Sequence, residues 1–297
     1  MLPARAPAQQ QTQGFAVERL YLAAPGNGWF VTSDLNQGDE LGGMVSLSTG
    51  YAAHPLDVSE PGSASLSVVR AQAFATVGLG VAYGGVRVFG HFASPVYGTG
   101  SSGTVDGRQF TAPSVNLEQE PDTLSDVHVG VDVRLLGKAE SPARAGVALR
   151  LVVPSGQRSS YVSDGSYRAM GLVAFAGDTA RWRYAAQAGI HVRPLDDTPA
   201  PGSPRGSELV FGVAAARRLR VAGAALSVGP EIFGASALRE FGSGEATGVE
   251  ALLTGRVDLH DSLLLKIGAG GALHHQFGAP SWRSVISVEY APGVPGS

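Results

Sequence analysis

The sequence predicts an all-β protein, a closed antiparallel transmembrane β-barrel of about 12 strands, with short periplasmic turns and long external loops. Three observations predict it. Apolar and polar residues alternate with a period of two along most of the 297 residues. Most of the alternating segments are about 10–15 residues long, close to the length that a tilted strand needs to cross a bilayer. The connections between them alternate strictly between short and long.

The alternation defines each strand in turn. It is cleanest in SDVHVGVDVRLLG, residues 125–137, where Val129, Val131 and Val133 share one face and Asp132 and Arg134 share the other. The first six predicted strands lie at about 43–53, 66–83, 85–96, 127–136, 143–153 and 167–176. They are marked in order by the stretches GMVSLSTGYA, RAQAFATVGLGVAY, VRVFGHFASP, VHVGVDVRLL, RAGVALRLVVP and YRAMGLVAFAG, the last with ambiguous facing. The second six lie at about 180–193, 207–217, 219–233, 246–258, 261–274 and 281–291. They are marked in order by the stretches RWRYAAQAGIHVR, SELVFGVAAA, LSVGPEIFG, GVEALLTGRVDL, SLLLKIGAGGALHH and WRSVISVEYA.

The connections predict the orientation of the barrel. Short ones fall at Gly84, GKAESP, GDTA, around Arg218 and at HD, and long ones at 54–65, 97–126, 154–166, 194–206, 234–245 and 275–280. Tight turns at one end and long loops at the other are typical of outer-membrane barrels. An even number of strands lets the first and last pair antiparallel, which removes the open edges. Both termini are then expected on the periplasmic side.

The composition of the two strand faces indicates what they meet. The polar face carries Gly, Ala, Ser and Arg rather than the Lys, Glu and Thr of a soluble sheet. The apolar face carries Val, Leu and Ala, with aromatic residues near strand ends, as in interfacial girdles: Tyr51, Tyr83, Trp182, Tyr184, Trp282 and Tyr290. The apolar face is therefore expected to meet lipid. A soluble or surface β-barrel that binds a ligand stays open as an alternative.

Composition also bounds the function. A formal net charge of -3 gives no basic surface for nucleic acid, and the absence of cysteine excludes disulfides and thiolate sites. No residue spacing indicates catalysis or a metal site, so we expect no enzyme and no cofactor. Four segments are predicted: residues 1–14 as a disordered tail whose APA resembles the end of a signal peptide, 15–42 capping or entering the barrel, 43–291 as the barrel, and 292–297 as the start of a linker.

The predicted lumen face is the main functional candidate. Its cations are Arg70, Arg87, Arg134, Arg144, Arg150, Arg181, Arg183, Arg193, Arg256, Lys266 and Arg283. Its acids are Asp132, Glu208, Glu231, Glu250 and Glu289. A surplus of positive side chains would favour passage of small anionic solutes, because rings of charge set pore selectivity. Alternatively, the arginines pair with carboxylates and fill a closed lumen.

Several stretches carry a resemblance to known proteins. GFAVERLYLAAPGNGWFV, YAAHPL, PDTLSDVHVGVDVRLL and VPSGQRSSYVSDGSYRAM resemble the N-terminal barrels of OmpA-type outer-membrane proteins of myxobacteria, and the middle pair is also similar to putative outer-membrane transporters of the phenol-degradation pathway type. The resemblance implies an outer-membrane location, with lipid and lipopolysaccharide as surroundings. Family members often continue into a peptidoglycan-binding domain, so a periplasmic or peptidoglycan partner is expected only through a part beyond this sequence.

The sequence therefore predicts a porin-like outer-membrane barrel that passes small solutes through a narrow basic lumen. A plugged barrel that anchors a longer cell-envelope protein is the alternative from the same fold. The position of residues 15–42 helps to distinguish the open channel from the plugged barrel, because this segment is expected either to fold into the lumen or to cap its periplasmic mouth.

Overall fold

The computed structural model describes residues 10–59, 65–115, 124–195, 205–221, 224–260, 262–276 and 278–292. Residues 1–9 of the predicted tail and 293–297 of the predicted linker lie outside this range. In the described part of the chain no helix is long and apolar enough to cross a membrane.

Twelve antiparallel strands form one closed barrel, which confirms the predicted fold. They are β1 (Gly42–Val58), β2 (Leu66–Tyr83), β3 (Val86–Thr99), β4 (Val127–Leu136), β5 (Arg144–Val153), β6 (Arg168–Asp178), β7 (Trp182–Val192), β8 (Glu208–Val221), β9 (Ala224–Ala237), β10 (Thr247–His260), β11 (Leu263–His274) and β12 (Trp282–Tyr290). Each strand pairs with its neighbours in sequence, and β12 closes the barrel on β1, with Trp282 opposite Ala53 and Tyr290 opposite Val45. Closure pairs the backbone groups that an open edge would leave exposed to lipid.

Strand ends differ from the predicted ones at one turn in particular. The turn expected around Arg218 lies instead between β8 and β9, because β8 continues to Val221. Arg217 and Arg218 still pair with Val228 and Ser227 of β9. A run of arginines marks a turn only weakly, since long charged side chains also fit an extended strand near the interface.

The β2–β3 turn shows how the sequence makes a tight connection. Gly84 and Gly85 have φ of 60° and 80°, and they are the only residues between the two strands. A two-residue hairpin loop of this hand needs positive φ at both positions, which glycine adopts without steric cost.

The outer wall of the barrel is apolar. Leu47, Leu149 and Leu253 are more than 60% exposed, whereas their lumen-side neighbours Ser48 and Leu252 are buried. Exposed aromatic side chains ring both rims, with Tyr83, Trp182 and Tyr290 at the short-turn end and Tyr97, Tyr167 and Trp282 at the long-loop end. An apolar band between aromatic girdles is the surface that a bilayer covers.

An apolar cluster lies at the long-loop end. A hairpin of Gly103–Val105 and Arg108–Phe110, from the connection between β3 and β4, lies over this mouth, and Gln10–Gln11 adds a parallel strand to it. Phe110 packs there with Phe15, Val68 and Tyr161. Burial raises the pKa of Tyr161 to about 12, so its hydroxyl stays protonated and donates to the Thr111 carbonyl at 2.8 Å.

Candidate functional site

The lumen of the barrel is filled by residues 14–38, here called the lumen segment. At the long-loop end, Arg158 donates to the Gly14 carbonyl at 2.6 Å, and at the short-turn end Gln37 donates to the Gly85 carbonyl at 2.8 Å. The segment thus crosses the whole barrel, and every residue from 23 to 38 is buried. Of the two roles left open for this region, the structure shows the inward one. Gln10 accordingly lies at the long-loop end rather than on the periplasmic side expected for both termini, whereas Gly42 and Tyr290 lie at the short-turn end.

The lumen segment has no helix or strand, so the wall must supply partners for its backbone. Glu231 of β9 accepts from the backbone N–H groups of Phe30, Val31 and Thr32 at 3.0, 2.8 and 2.7 Å. Glu289 of β12 accepts from Gly26 N–H at 2.7 Å. Two carboxylates of the wall therefore hold the centre of the segment.

Cations of the wall bind the carbonyl groups of the same stretch. Lys266 donates to the carbonyls of Asn27 and Trp29 at 3.1 and 3.0 Å. Arg144 donates to the Asp34 carbonyl at 3.0 Å, and Arg134 to those of Leu35 and Gln37. Buried backbone groups that would otherwise lack partners are thereby satisfied by charged side chains.

Trp29 anchors the lumen segment by packing. Its side chain is 2% exposed and lies among four small side chains of the wall, those of Ala176, Ala185, Ala214 and Ala216. The small residues on β6, β7 and β8 leave room for the indole ring, so the Ala-rich polar face of these strands has a packing role. Phe30 packs beside it on Phe233, Leu252 and Val285.

Charged side chains in the half of the lumen nearer the short-turn end form ion pairs. Arg87 pairs with Asp132 at 2.7 Å, and Lys266 with Glu289 at 2.8 Å. Arg144 and Arg183 share Asp178, at 2.6 and 2.8 Å. These carboxylates neutralise the buried cations, which would otherwise be costly to desolvate.

A second charged cluster ties the lumen segment to the long-loop half. Arg19 and Arg193 both bind Glu208, at 2.9 and 3.2 Å, and Arg193 also binds Asp164 at 2.7 Å. Asp164 lies in the β5–β6 loop and accepts from Ala16 N–H at 2.9 Å. Burial alone would raise the pKa of Asp164, but the charges of Arg193 and Arg168 and the Ala16 N–H outweigh it and lower the pKa to about 2.

Aromatic and imidazole rings surround the middle of the segment. Tyr21 lies between His128 of β4 and His191 of β7, with ring centroids 5.5 and 5.4 Å away. His191 also contacts Glu208 at 3.2 Å. In the described ranges no three histidine or acidic side chains come together as a metal site.

The structure places nine of the eleven predicted lumen cations inside, and eight of these have a carboxylate within 4 Å: Arg87, Arg134, Arg144, Arg183, Arg193, Arg256, Lys266 and Arg283. The ninth, Arg150, is buried without an ion pair among the described residues. Arg70 and Arg181 are exposed instead, Arg70 beside Ser101 at the long-loop rim. The alternation of β2 breaks there, because Val68 and Val69 are both buried.

All five predicted acids face the lumen: Asp132, Glu208, Glu231, Glu250 and Glu289. Seven further carboxylates, which were not among the predicted lumen acids, lie beside buried cations: Glu18, Asp34, Asp39, Asp126, Asp164, Asp178 and Asp258. They come from the lumen segment, the loops and the strand ends. Asp258 carried a signal, since it follows Arg256 by two residues on the same strand face, and Glu18 and Asp34 lie in the segment predicted either to enter the barrel or to cap it. With these acids present, the counted surplus of positive charge is largely neutralised.

Cavities remain beside the lumen segment, and the described residues line at least two of them. One of about 80 Å³ lies toward β1–β4, where Phe74, His91 and His128 line it together with Tyr21. The other, of about 50 Å³, lies toward β5–β10, and Arg19, Arg150 and Glu250 line it with an apolar strip of Met170, Leu172, Val210 and Phe233.

Among solved structures, the chain is similar to an outer membrane channel from Pseudomonas putida F1, with 12% identity over 85% of this chain and 96% of that chain and a TM-score of 0.59. It is also similar to the NanC porin, with 8% identity over 83% of this chain and 98% of that chain and a TM-score of 0.49. At these identities the first likeness concerns the fold. No family model and no curated protein matches the chain, so the resemblance to OmpA-type proteins stays a prediction.

The fold and the outer surface of the barrel both indicate a membrane location. The twelve strands pair around a closed barrel and leave no open sheet edge, and the exterior is apolar whereas the interior is polar, as a bilayer requires. The chain therefore has the architecture of a β-barrel of the bacterial outer membrane.

Proposed function

We propose that the protein is an outer-membrane channel for small solutes and that the lumen segment is its closing element. The observation that carries the proposal is the way the segment is held. It has no secondary structure of its own, and its central backbone is bound by side chains of the wall rather than by strand pairing. The segment can therefore leave as a unit while the twelve strands keep their own hydrogen bonds.

The lumen wall supports passage once the segment is displaced. Removal of residues 14–38 takes away Glu18, Asp34 and Arg19, and it leaves a wall lined by Arg144, Arg150 and their neighbours. Arg134 loses its contacts with Leu35 and Gln37, and Arg283 loses Glu18. The open lumen is then more basic than the closed one, which favours small anions. The fold similarity to an outer membrane channel is consistent with this function.

A plugged barrel that anchors a longer envelope protein is the second candidate. The ion pairs that fill the lumen favour it, since Arg193 and Arg283 each bind two carboxylates. Such networks rigidify a structure when every member is satisfied. In either case the outer wall contacts lipid, and the long-loop end is expected to face lipopolysaccharide.

Single-channel recording of the refolded full chain in a planar bilayer separates the two functions. The channel predicts discrete openings, and across a salt gradient it predicts a reversal potential biased toward anions. The anchor predicts protein that folds and inserts, shown by a heat-dependent shift on electrophoresis, but carries no current. Openings without an anion bias would support the channel function but refute the basic lumen.

A further inference from the structure

We propose that Arg150 and the apolar strip beside it form a binding site for a small monocarboxylate with an apolar body. The inference deepens the proposed function and rests on it for the route by which the solute enters. The site lies on the inner wall where β5 passes the 50 Å³ cavity.

The first argument is the state of the Arg150 guanidinium. The residue is 6% exposed, and its Nη1 makes only long hydrogen bonds, to the carbonyls of Tyr21 and Leu22 at 3.3 and 3.5 Å. Its Nε and Nη2 have no hydrogen-bond partner among the described residues. Every other predicted lumen cation that is buried has a carboxylate partner. The nearby carboxylate of Asp132 is already paired with Arg87, so the buried charge of Arg150 is only partly compensated and a bound anion lowers that cost.

The second argument is which atoms lack partners. Nε and Nη2 form one edge of the planar guanidinium, and two parallel N–H groups on one edge match the two oxygens of a carboxylate. The opposite edge carries Nη1, which already faces the lumen segment. A carboxylate therefore fits the unused edge better than a single-atom anion such as chloride.

The third argument is the wall around the cavity. Met170, Leu172 and Val210 belong to one buried apolar cluster, and Phe233 continues it along β9. Such an apolar strip beside a buried guanidinium suits the apolar body of a ligand. A second carboxylate would be disfavoured, because Glu250 also lines the cavity and its charge is already paired with Arg283.

The site is placed to couple binding with opening. Tyr21 and Leu22, whose carbonyls Arg150 contacts, belong to the lumen segment. A carboxylate that draws the guanidinium toward its free edge lengthens these contacts further. A ligand that binds the displaced state better than the closed one shifts the population toward the open channel.

The test is calorimetric titration of sodium butanoate into detergent-folded full chain, with neutral butanamide and with formate as comparison probes. We expect butanoate to bind roughly tenfold to hundredfold more tightly than butanamide, which cannot form the charged pair. Formate, which lacks the apolar body, is expected to bind more weakly. Arg150→Gln should lose the preference for butanoate, and Arg150→Lys should weaken it because one ammonium replaces the fork.

Arg70→Gln is the matched control, because Arg70 is exposed at the long-loop rim, where it donates to the Ser101 hydroxyl at 3.2 Å. It should bind butanoate like the wild type. Equal binding of butanoate and butanamide, or unchanged binding by Arg150→Gln, would overturn the site. If a variant fails to fold, the probe comparison on the wild type still decides. Butanoate binding without any channel current would refute the proposed function alone, and current without binding would refute the site alone.

Discussion

Replacement of Glu231 by glutamine should loosen the lumen segment. The carboxylate accepts three backbone N–H groups of the segment, two on Oε1 and one, from Phe30, on Oε2. Glutamine keeps one acceptor oxygen and places an NH₂ where the other was, so at least one hydrogen bond to a charged group is lost. Such a bond contributes about 1.5–3 kcal/mol. The displaced state should therefore become roughly tenfold to hundredfold more populated.

Thiol labelling measures this population. Thr32 is fully buried and the chain has no cysteine, so Thr32→Cys reacts with a maleimide only when the segment leaves. When closing is fast relative to labelling, the rate follows the population of the open form. Glu231→Gln in this background should label roughly tenfold to hundredfold faster.

Thr254→Val is the matched control. Thr254 is a buried lumen-side residue of β10, and its hydroxyl donates to the Gly229 carbonyl of the wall at 2.9 Å rather than to the lumen segment. Its labelling rate should equal that of the parent Thr32→Cys protein. Equal labelling rates for Glu231→Gln and Thr254→Val would refute the idea that Glu231 holds the segment, provided that a heat-dependent shift on electrophoresis shows both proteins to be folded.

Two further predictions concern Trp29 and Asp164. Trp29→Ala empties the pocket lined by Ala176 and Ala214, so it should destabilise the closed state by about 3–5 kcal/mol and raise the Thr32→Cys labelling rate; an unchanged rate would contradict the anchoring role. Asp164→Asn should lower the unfolding temperature in detergent at neutral pH. The pKa of Asp164 is lowered to about 2 in the folded protein, so its contribution to stability is fully present above about pH 4 and is lost as the pH falls toward about 2. The difference in unfolding temperature between wild type and variant should therefore vanish near pH 2. A difference that does not depend on pH would contradict the charge pairing.

The barrel itself could be predicted from the sequence because its strands meet two different solvents. Lipid outside and a polar filling inside impose a period of two on every strand, so Leu47, Leu149 and Leu253 alternate with polar or small neighbours. The same period predicted the lumen face of nine buried cations and all five acids. Where the alternation breaks, as at Arg70, the assignment of a face fails with it.

The filling of the lumen could not be predicted in the same way. Residues 14–38 have no helix or strand, so no period records which of their side chains meet the wall. Their position depends on long-range contacts such as that of Phe30 N–H with Glu231, 201 residues apart in sequence. Acids such as Asp164 and Asp178 lie in loops or at strand ends, outside the regular part of the alternation. The sequence therefore indicated a basic lumen, and the structure shows a neutralised one.

A reversible disulfide between the lumen segment and the wall tests the central claim most directly. A Cβ at Gly212 of β8 would lie 3.1 Å from Oγ1 of Thr32, which suits a disulfide between Thr32→Cys and Gly212→Cys. Single-channel current should appear in the reduced double variant, disappear on oxidation and return with reductant, while each single variant conducts throughout. Current that persists in the oxidised, cross-linked protein would show that solutes pass without movement of the segment and would contradict the account.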